Sequence, residues 1–167
     1  MKSMKTLTRV LVADDDQSIR QLLCTIVRRE GIEVDCVPDG AEAIEQLEQK
    51  SYSVILLDLM MPRIDGFGVI EHLKQHVPAV KPLILVITAY ADQKFKEVDP
   101  NIVAGVIRKP FEVSEIGNLV RLCVNGYEEA TRDRLLSADD RAIRDIASRH
   151  WHIPNSRGAN GSGEGAH

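Results

Sequence analysis

Asp14-Asp15-Asp16, Asp58, Thr88 and Lys109 each follow or close a short apolar run. The runs are Val10-Leu11-Val12-Ala13, Val54-Ile55-Leu56-Leu57, Leu83-Ile84-Leu85-Val86-Ile87 and Val103-Ala104-Gly105-Val106-Ile107. If these are strands of one open parallel sheet, their carboxyl ends share a rim, where such sheets carry their ligands. Carboxylates, a hydroxyl and an ammonium at one rim are equipment for binding a divalent cation and holding a phosphoryl group on an aspartate. Magnesium, or manganese in its place, takes oxygen ligands and keeps several waters. Asp15 and Asp58 can supply carboxylates directly, and Asp14 directly or through water. Crowded carboxylates repel one another, so such a site favours a cation. Asp58 stands alone after its strand and is the best candidate nucleophile. Lys109 can pair with one phosphoryl oxygen as a point charge, and Thr88 can donate a hydrogen bond to another. Taken singly, each feature has an ordinary explanation: an Asp after a strand is often a helix N-cap, the reading preferred for Asp16. Four strand ends in series favour a site.

The elements that must position these groups alternate along the chain. Ile19, Leu22, Leu23, Ile26 and Val27 form one helix face before Gly31, and 32–37 is a second short strand. Asp39 and Glu42 have capping-box spacing ahead of a helix burying Ala43, Ile44 and Leu47. The wholly apolar run 54–57 suits a strand covered on both faces. A helix carrying Phe67, Ile70, Leu73 and Val77 follows the loop with Pro62 and Gly66, and a short helix over 91–98 stops before Asp99-Pro100. Val113, Ile116, Leu119, Val120 and Cys123 mark a last helix, with Gly126 as its stop. Five βα units predict a doubly wound five-stranded parallel sheet, flavodoxin-like, with strand order 2-1-3-4-5. That order puts strands 1 and 3 side by side and brings Asp14, Asp15 and Asp58 together.

The reading divides the chain into a domain over 7–125, a helical extension over 126–152 and a disordered tail over 153–167, rich in Gly, Ser and Asn. In the extension, Ser137 to Asp140 resembles a second capping box, opening a helix striped by Ala142, Ile143, Ile146 and Ala147. The net charge of -4 argues against a nucleic-acid surface. No signal peptide or membrane span is legible, so a soluble, cytoplasmic protein is expected. Cys24, Cys36 and Cys123 lie in apolar patterns without metal spacing and read as reduced core thiols.

From about Arg9 to Asn125 the chain resembles the CheY-like receiver domain of bacterial two-component response regulators. The segments carrying the resemblance are VLVADDD, ILLDLMMPRIDGF, ILVITAY and VIRKPFEVSEI. It implies a signalling phospho-acceptor, catalysing only its own phosphorylation and dephosphorylation, that receives its phosphoryl group from a histidine of a sensor kinase or phosphotransfer protein. Asp58 would be the acceptor, and Asp14, Asp15, Asp58 and the backbone carbonyl of Met60 the metal ligands. Thr88 would be the switch hydroxyl and Lys109 the phosphate-pairing lysine. Two departures stand out. Val106 occupies a position that usually carries Tyr or Phe, and Pro100 shortens the fourth helix. Both fall on the usual output face. Met60 and Tyr90, two residues after Asp58 and Thr88, would border the path of the hydrolytic water and slow the loss of the phosphoryl group.

Two rival readings stay open. Asp14-Asp15-Asp16-Gln17-Ser18 also fits the first motif of haloacid-dehalogenase-type phosphatases, with Asp14 as nucleophile and Asp16 as acid/base, though Asp58 is then unexplained. A receiver-like interaction module without phosphorylation is the other. A flavodoxin-like nucleotide binder lacks a Gly-rich phosphate loop. Expected partners are the phosphoryl donor and a downstream protein or an output domain outside this chain, with a homodimer possible and neither nucleic acid nor membrane contacted. The run His150-Trp151-His152 reads as a tail fragment with one apolar anchor.

Overall fold

A computed structural model describes residues 8–78 and 81–132. It contains β1 (Arg9–Ala13), α1 (Gln17–Arg29), β2 (Glu33–Val37), α2 (Gly40–Gln49), β3 (Val54–Leu57), α3 (Gly66–Gln75), β4 (Leu83–Thr88), α4 (Ala91–Lys94) with a 3-10 turn over Phe95–Glu97, β5 (Val103–Arg108) and α5 (Val113–Arg132). The sheet is parallel with order β2-β1-β3-β4-β5, as the alternation predicts.

Side-chain alternation along the strands divides the core between the two faces of the sheet. Leu11, Ala13, Ile55, Leu57, Ile84, Val86 and Val106 pack with Ala43 of α2 and Val69, Ile70 and Leu73 of α3. Val10, Val12, Val54, Leu56, Leu85, Ile87 and Ile107 pack with Leu23, Ile26 and Val27 of α1 and Ile116, Leu119, Val120 and Val124 of α5. Apolar helices on both faces explain why β3 is buried at all four positions.

The helix starts follow side-chain chemistry. Asp16, Asp39 and Asp65 cap α1, α2 and α3 by accepting the N–H of Ile19, Glu42 and Gly68. Beyond α1, Gly31 takes φ +74, a left-handed conformation in which a Cβ is strained. On the edge strand, Asp35 accepts from Tyr52 Oη at 2.7 Å and Lys50 Nζ at 3.0 Å and pairs with Arg9. Burial alone would raise its pKa, but these partners hold the carboxyl below its ordinary range.

Three expectations change. Val77 lies beyond α3 and is exposed, because the helix is already capped at His76. α5 runs through Gly126 to Arg132: Tyr127 and Glu128 beyond the glycine are still half-buried, Glu128 accepts from Thr8 Oγ1 at 2.9 Å, and one helical glycine costs only about 1 kcal/mol. Cys24 and Cys36 are bonded as a disulfide between α1 and β2, with Cα atoms 6.6 Å apart, while Cys123 is the free, buried cysteine. The two bonded residues are 12 apart in sequence and meet only because α1 folds back over the edge strand. The capping box at 137–140, the helix it would open, the His150-Trp151-His152 run and the tail lie outside the described residues.

Candidate functional site: an acid cluster with one lysine

β1 and β3 are neighbours, and Asp58 donates its backbone N–H to Ala13 O at 2.9 Å, so both acidic segments leave the sheet at one level. One carboxylate oxygen each from Asp14, Asp15 and Asp58 lies within 4.8 Å of the others. Asp14 and Asp58 are buried and Asp15 is exposed. Lys109, one residue after β5, reaches across β4 to this cluster. Its Nζ donates to Asp14 Oδ2 at 2.7 Å and to Asp58 Oδ2 at 3.2 Å.

Burial pushes the Asp58 carboxyl above its ordinary range, and the charge of Asp14 adds to this against the opposing Lys109 and the Met60 N–H. For Lys109, burial alone would lower the pKa, but the hydrogen bonds and charges of Asp14 and Asp58 outweigh it and the ammonium is held above its usual value. The Lys109 ammonium is therefore the charge that opposes the cost of ionising the buried Asp58. An oxygen-only donor set of this kind suits a hard divalent ion such as magnesium or manganese, not a thiolate- or imidazole-seeking one.

Thr88 ends β4, fully buried, and its backbone carbonyl accepts the Lys109 N–H at 3.0 Å. Its hydroxyl accepts the Tyr90 N–H at 3.2 Å, as Asp58 Oδ1 accepts the Met60 N–H at 3.3 Å. The same two-residue turn thus follows β3 and β4, and it leaves Met60 and Tyr90 exposed beyond it. Val106 is buried among the α3-side core residues. Asp16 faces away from the cluster's work: its Oδ1 caps α1, and its N–H donates to Asp14 Oδ1 at 3.0 Å. An acid occupied as an N-cap is poorly placed as the acid/base that the phosphatase reading requires.

Two residues escaped the sequence reading. Arg20 donates from Nη1 to Asp14 O at 2.8 Å, one helical turn after the Asp16 cap. Gly66 donates its N–H to Leu59 O at 2.9 Å, and a Cβ there would collide with Asp58 O and lie 2.7 Å from Leu59 Cα. A glycine opening a helix after the loop from Asp58 was the only visible signal for the second; nothing in the sequence marks the first.

The response regulator receiver domain model matches residues 10–121. The chain is 30% identical over 131 residues to the DNA-binding transcriptional regulator NtrC of Escherichia coli K12, covering 75% of this chain and 26% of NtrC. It is 31% identical over 131 residues to the probable transcriptional regulator ycf27 of Porphyridium aerugineum, covering 77% of this chain and 52% of that one. The chain thus spans about a quarter to a half of these relatives. The response regulator TrrA of Thermotoga maritima, solved in complex with Mg(2+)-BeF, superposes with a TM-score of 0.61 at 28% identity, covering 70% of this chain and 98% of that one. Among the described residues no helix is long and apolar enough to cross a membrane. With the 2-1-3-4-5 sheet, the acid cluster and a family match over most of its length, the chain belongs to the response regulator receiver domain family.

Proposed function

We propose that this receiver accepts a phosphoryl group on Asp58 from a phosphohistidine of a sensor kinase or histidine phosphotransfer protein, and that the acyl phosphate switches protein–protein contacts. The observation that carries this reading is Lys109 Nζ bridging Asp14 and Asp58 inside a three-carboxylate cluster. Asp14, Asp15, Asp58 and the Met60 carbonyl would hold magnesium. When bound, the ion supplies positive charge against the phosphoryl oxygens. An Asp58 carboxylate oxygen attacks phosphorus as the bond to the histidine nitrogen breaks. Lys109 then exchanges a carboxylate partner for a phosphoryl oxygen, and the Thr88 hydroxyl, whose O–H is not used in accepting from Tyr90, donates to another. Positioning and charge stabilisation are most of what phosphoryl transfer requires.

The test is intact-protein mass spectrometry after incubation with acetyl phosphate and magnesium. One phosphoryl group is expected, dependent on magnesium and absent from Asp58→Ala. An unmodified wild-type mass on folded protein would sink the reading, and release of phosphate from a monoester would favour the phosphatase instead.

Val106 offers no aromatic ring to swing behind Thr88, so we place the change on phosphorylation in the β4–α4 loop. A two-state segment biased by a new charge is sufficient for a switch. Met60 and Tyr90 are 44% and 45% exposed beyond the two turns, where they can screen Asp58 from water. Met60→Ala and Tyr90→Ala are each expected to speed loss of the phosphoryl group, up to about tenfold, the equivalent of about 1.4 kcal/mol of barrier. Unchanged decay in both variants would remove this role.

A further inference from the structure

The Cys24–Cys36 bond joins the two elements that hold Asp14 from opposite sides. On one side, Val37 O at the end of β2 accepts the Asp14 backbone N–H at 3.2 Å. On the other, Arg20 of α1 donates to Asp14 O at 2.8 Å. Cys36 directly precedes Val37, and Cys24 lies one helical turn beyond Arg20, on the same face. The bridge therefore closes a loop around the seat of a buried carboxylate. Cα atoms 6.6 Å apart lie within the span a disulfide can bridge without moving the backbone.

The two sulfurs differ in access. Cys24 is 2% exposed, packed against the α1-side core. Cys36 is half-buried on β2, an edge strand with no neighbour on its outer side within this sheet. Reagents thus reach the pair through Cys36, with Cys24 behind it as the resolving thiol. Cys123, buried in the same core with its thiol pushed up to about 12 by burial, is the one cysteine of the three left unbonded.

We propose that Cys24 and Cys36 form a reversible redox clasp that sets how firmly Asp14 is held, and with it the affinity of the acid cluster for its cation. A small disulfide such as oxidised glutathione is the oxidant. The Cys36 thiolate attacks one of its sulfurs, forming a mixed disulfide and expelling one thiol. The Cys24 thiolate then attacks the Cys36 sulfur and expels the second. The chain loses two electrons and two protons, and the small disulfide becomes two thiols. Dithiol reductants reverse both steps. The bridge stands without any assumption about phosphorylation; its effect on cation affinity rests on the proposed reading of the acid cluster.

The experiment uses the full chain, treated with oxidised glutathione or with dithiothreitol. Alkylation after denaturation should label one of the three cysteines in the oxidised sample and all three in the reduced one. The oxidised protein should be a monomer carrying no glutathione mass. Titration with magnesium chloride alone, followed by calorimetry, should show about fivefold tighter binding in the oxidised protein, the low end of ordinary coupling between sites. Cys36→Ser, a small change at a half-buried position, should show the weaker affinity with and without reductant. Three labelled cysteines after oxidation, retained glutathione or linked dimers would overturn the clasp. Equal magnesium affinity in the two states would overturn its coupling to Asp14. Binding in neither state would overturn the reading of the acid cluster and the coupling with it, while the thiol count would still judge the bridge.

Discussion

Lys109→Met should lower the stability of the cation-free protein by about 3 kcal/mol, the low end for removing one member of a buried ion pair. Methionine keeps the apolar stem and removes only the ammonium. The Lys109 side chain is 16% exposed and its partners Asp14 and Asp58 are 1% and 7% exposed, so water cannot replace the lost charge. Two facing carboxylates are left in a site where one already resists ionisation, because burial and the charge of Asp14 push Asp58 up. Proton uptake by Asp58 limits the loss, which is why the low end of the range applies. Urea unfolding of wild type and variant at neutral pH measures it. A divalent cation then stands in for the missing ammonium, so millimolar magnesium should recover more stability in the variant than in wild type. An unchanged urea midpoint without cation would mean that Lys109 is not what holds the acids together.

The sheet order and the meeting of the acids were legible because each apolar run is short, separated from the next by a helix pattern, and followed directly by a polar group. Connectivity then leaves few topologies, and adjacency of β1 and β3 follows from the order. Contacts made across the fold carried no such signal. Arg20 is one of several arginines in its helix, and only the packing of α1 shows that it reaches the Asp14 carbonyl. The Cys24–Cys36 bond depends on the return of α1 over an edge strand. Gly126 does not stop α5, because a glycine ends a helix only when the contacts beyond it also end, and here Tyr127 and Glu128 stay half-buried, with Glu128 accepting from Thr8 Oγ1 across the fold. Val77 failed in the opposite sense: it keeps the apolar spacing but falls after the cap at His76.

Gly66→Ala is expected to cost about 2–3 kcal/mol, in the upper part of the range for overpacking, and to weaken magnesium binding and phosphoryl incorporation together. The demand on Gly66 is for space, not for an unusual backbone angle. A Cβ there meets the Asp58 carbonyl oxygen and lies 2.7 Å from Leu59 Cα and 3.1 Å from the Asp58 carbonyl carbon, all backbone atoms that cannot swing aside. Those atoms are fixed from the other side, since Asp58 N–H is bonded to Ala13 O and Gly66 N–H to Leu59 O. Relief must come from moving α3 or the segment after β3. Moving that segment displaces the Asp58 carboxylate relative to Asp14 and Lys109, which a stability loss alone would not do. Gly117→Ala is the matched control. Its Cβ would approach the Glu30 carboxylate at 3.1 Å, the movable end of a flexible side chain, and alanine is the better helix former within α5. Gly117→Ala should therefore keep or slightly raise the urea midpoint and leave magnesium affinity unchanged. Loss of stability in Gly66→Ala with intact magnesium affinity would show that α3 yields instead, and that the acid cluster is held by the sheet without help from the close approach at Gly66.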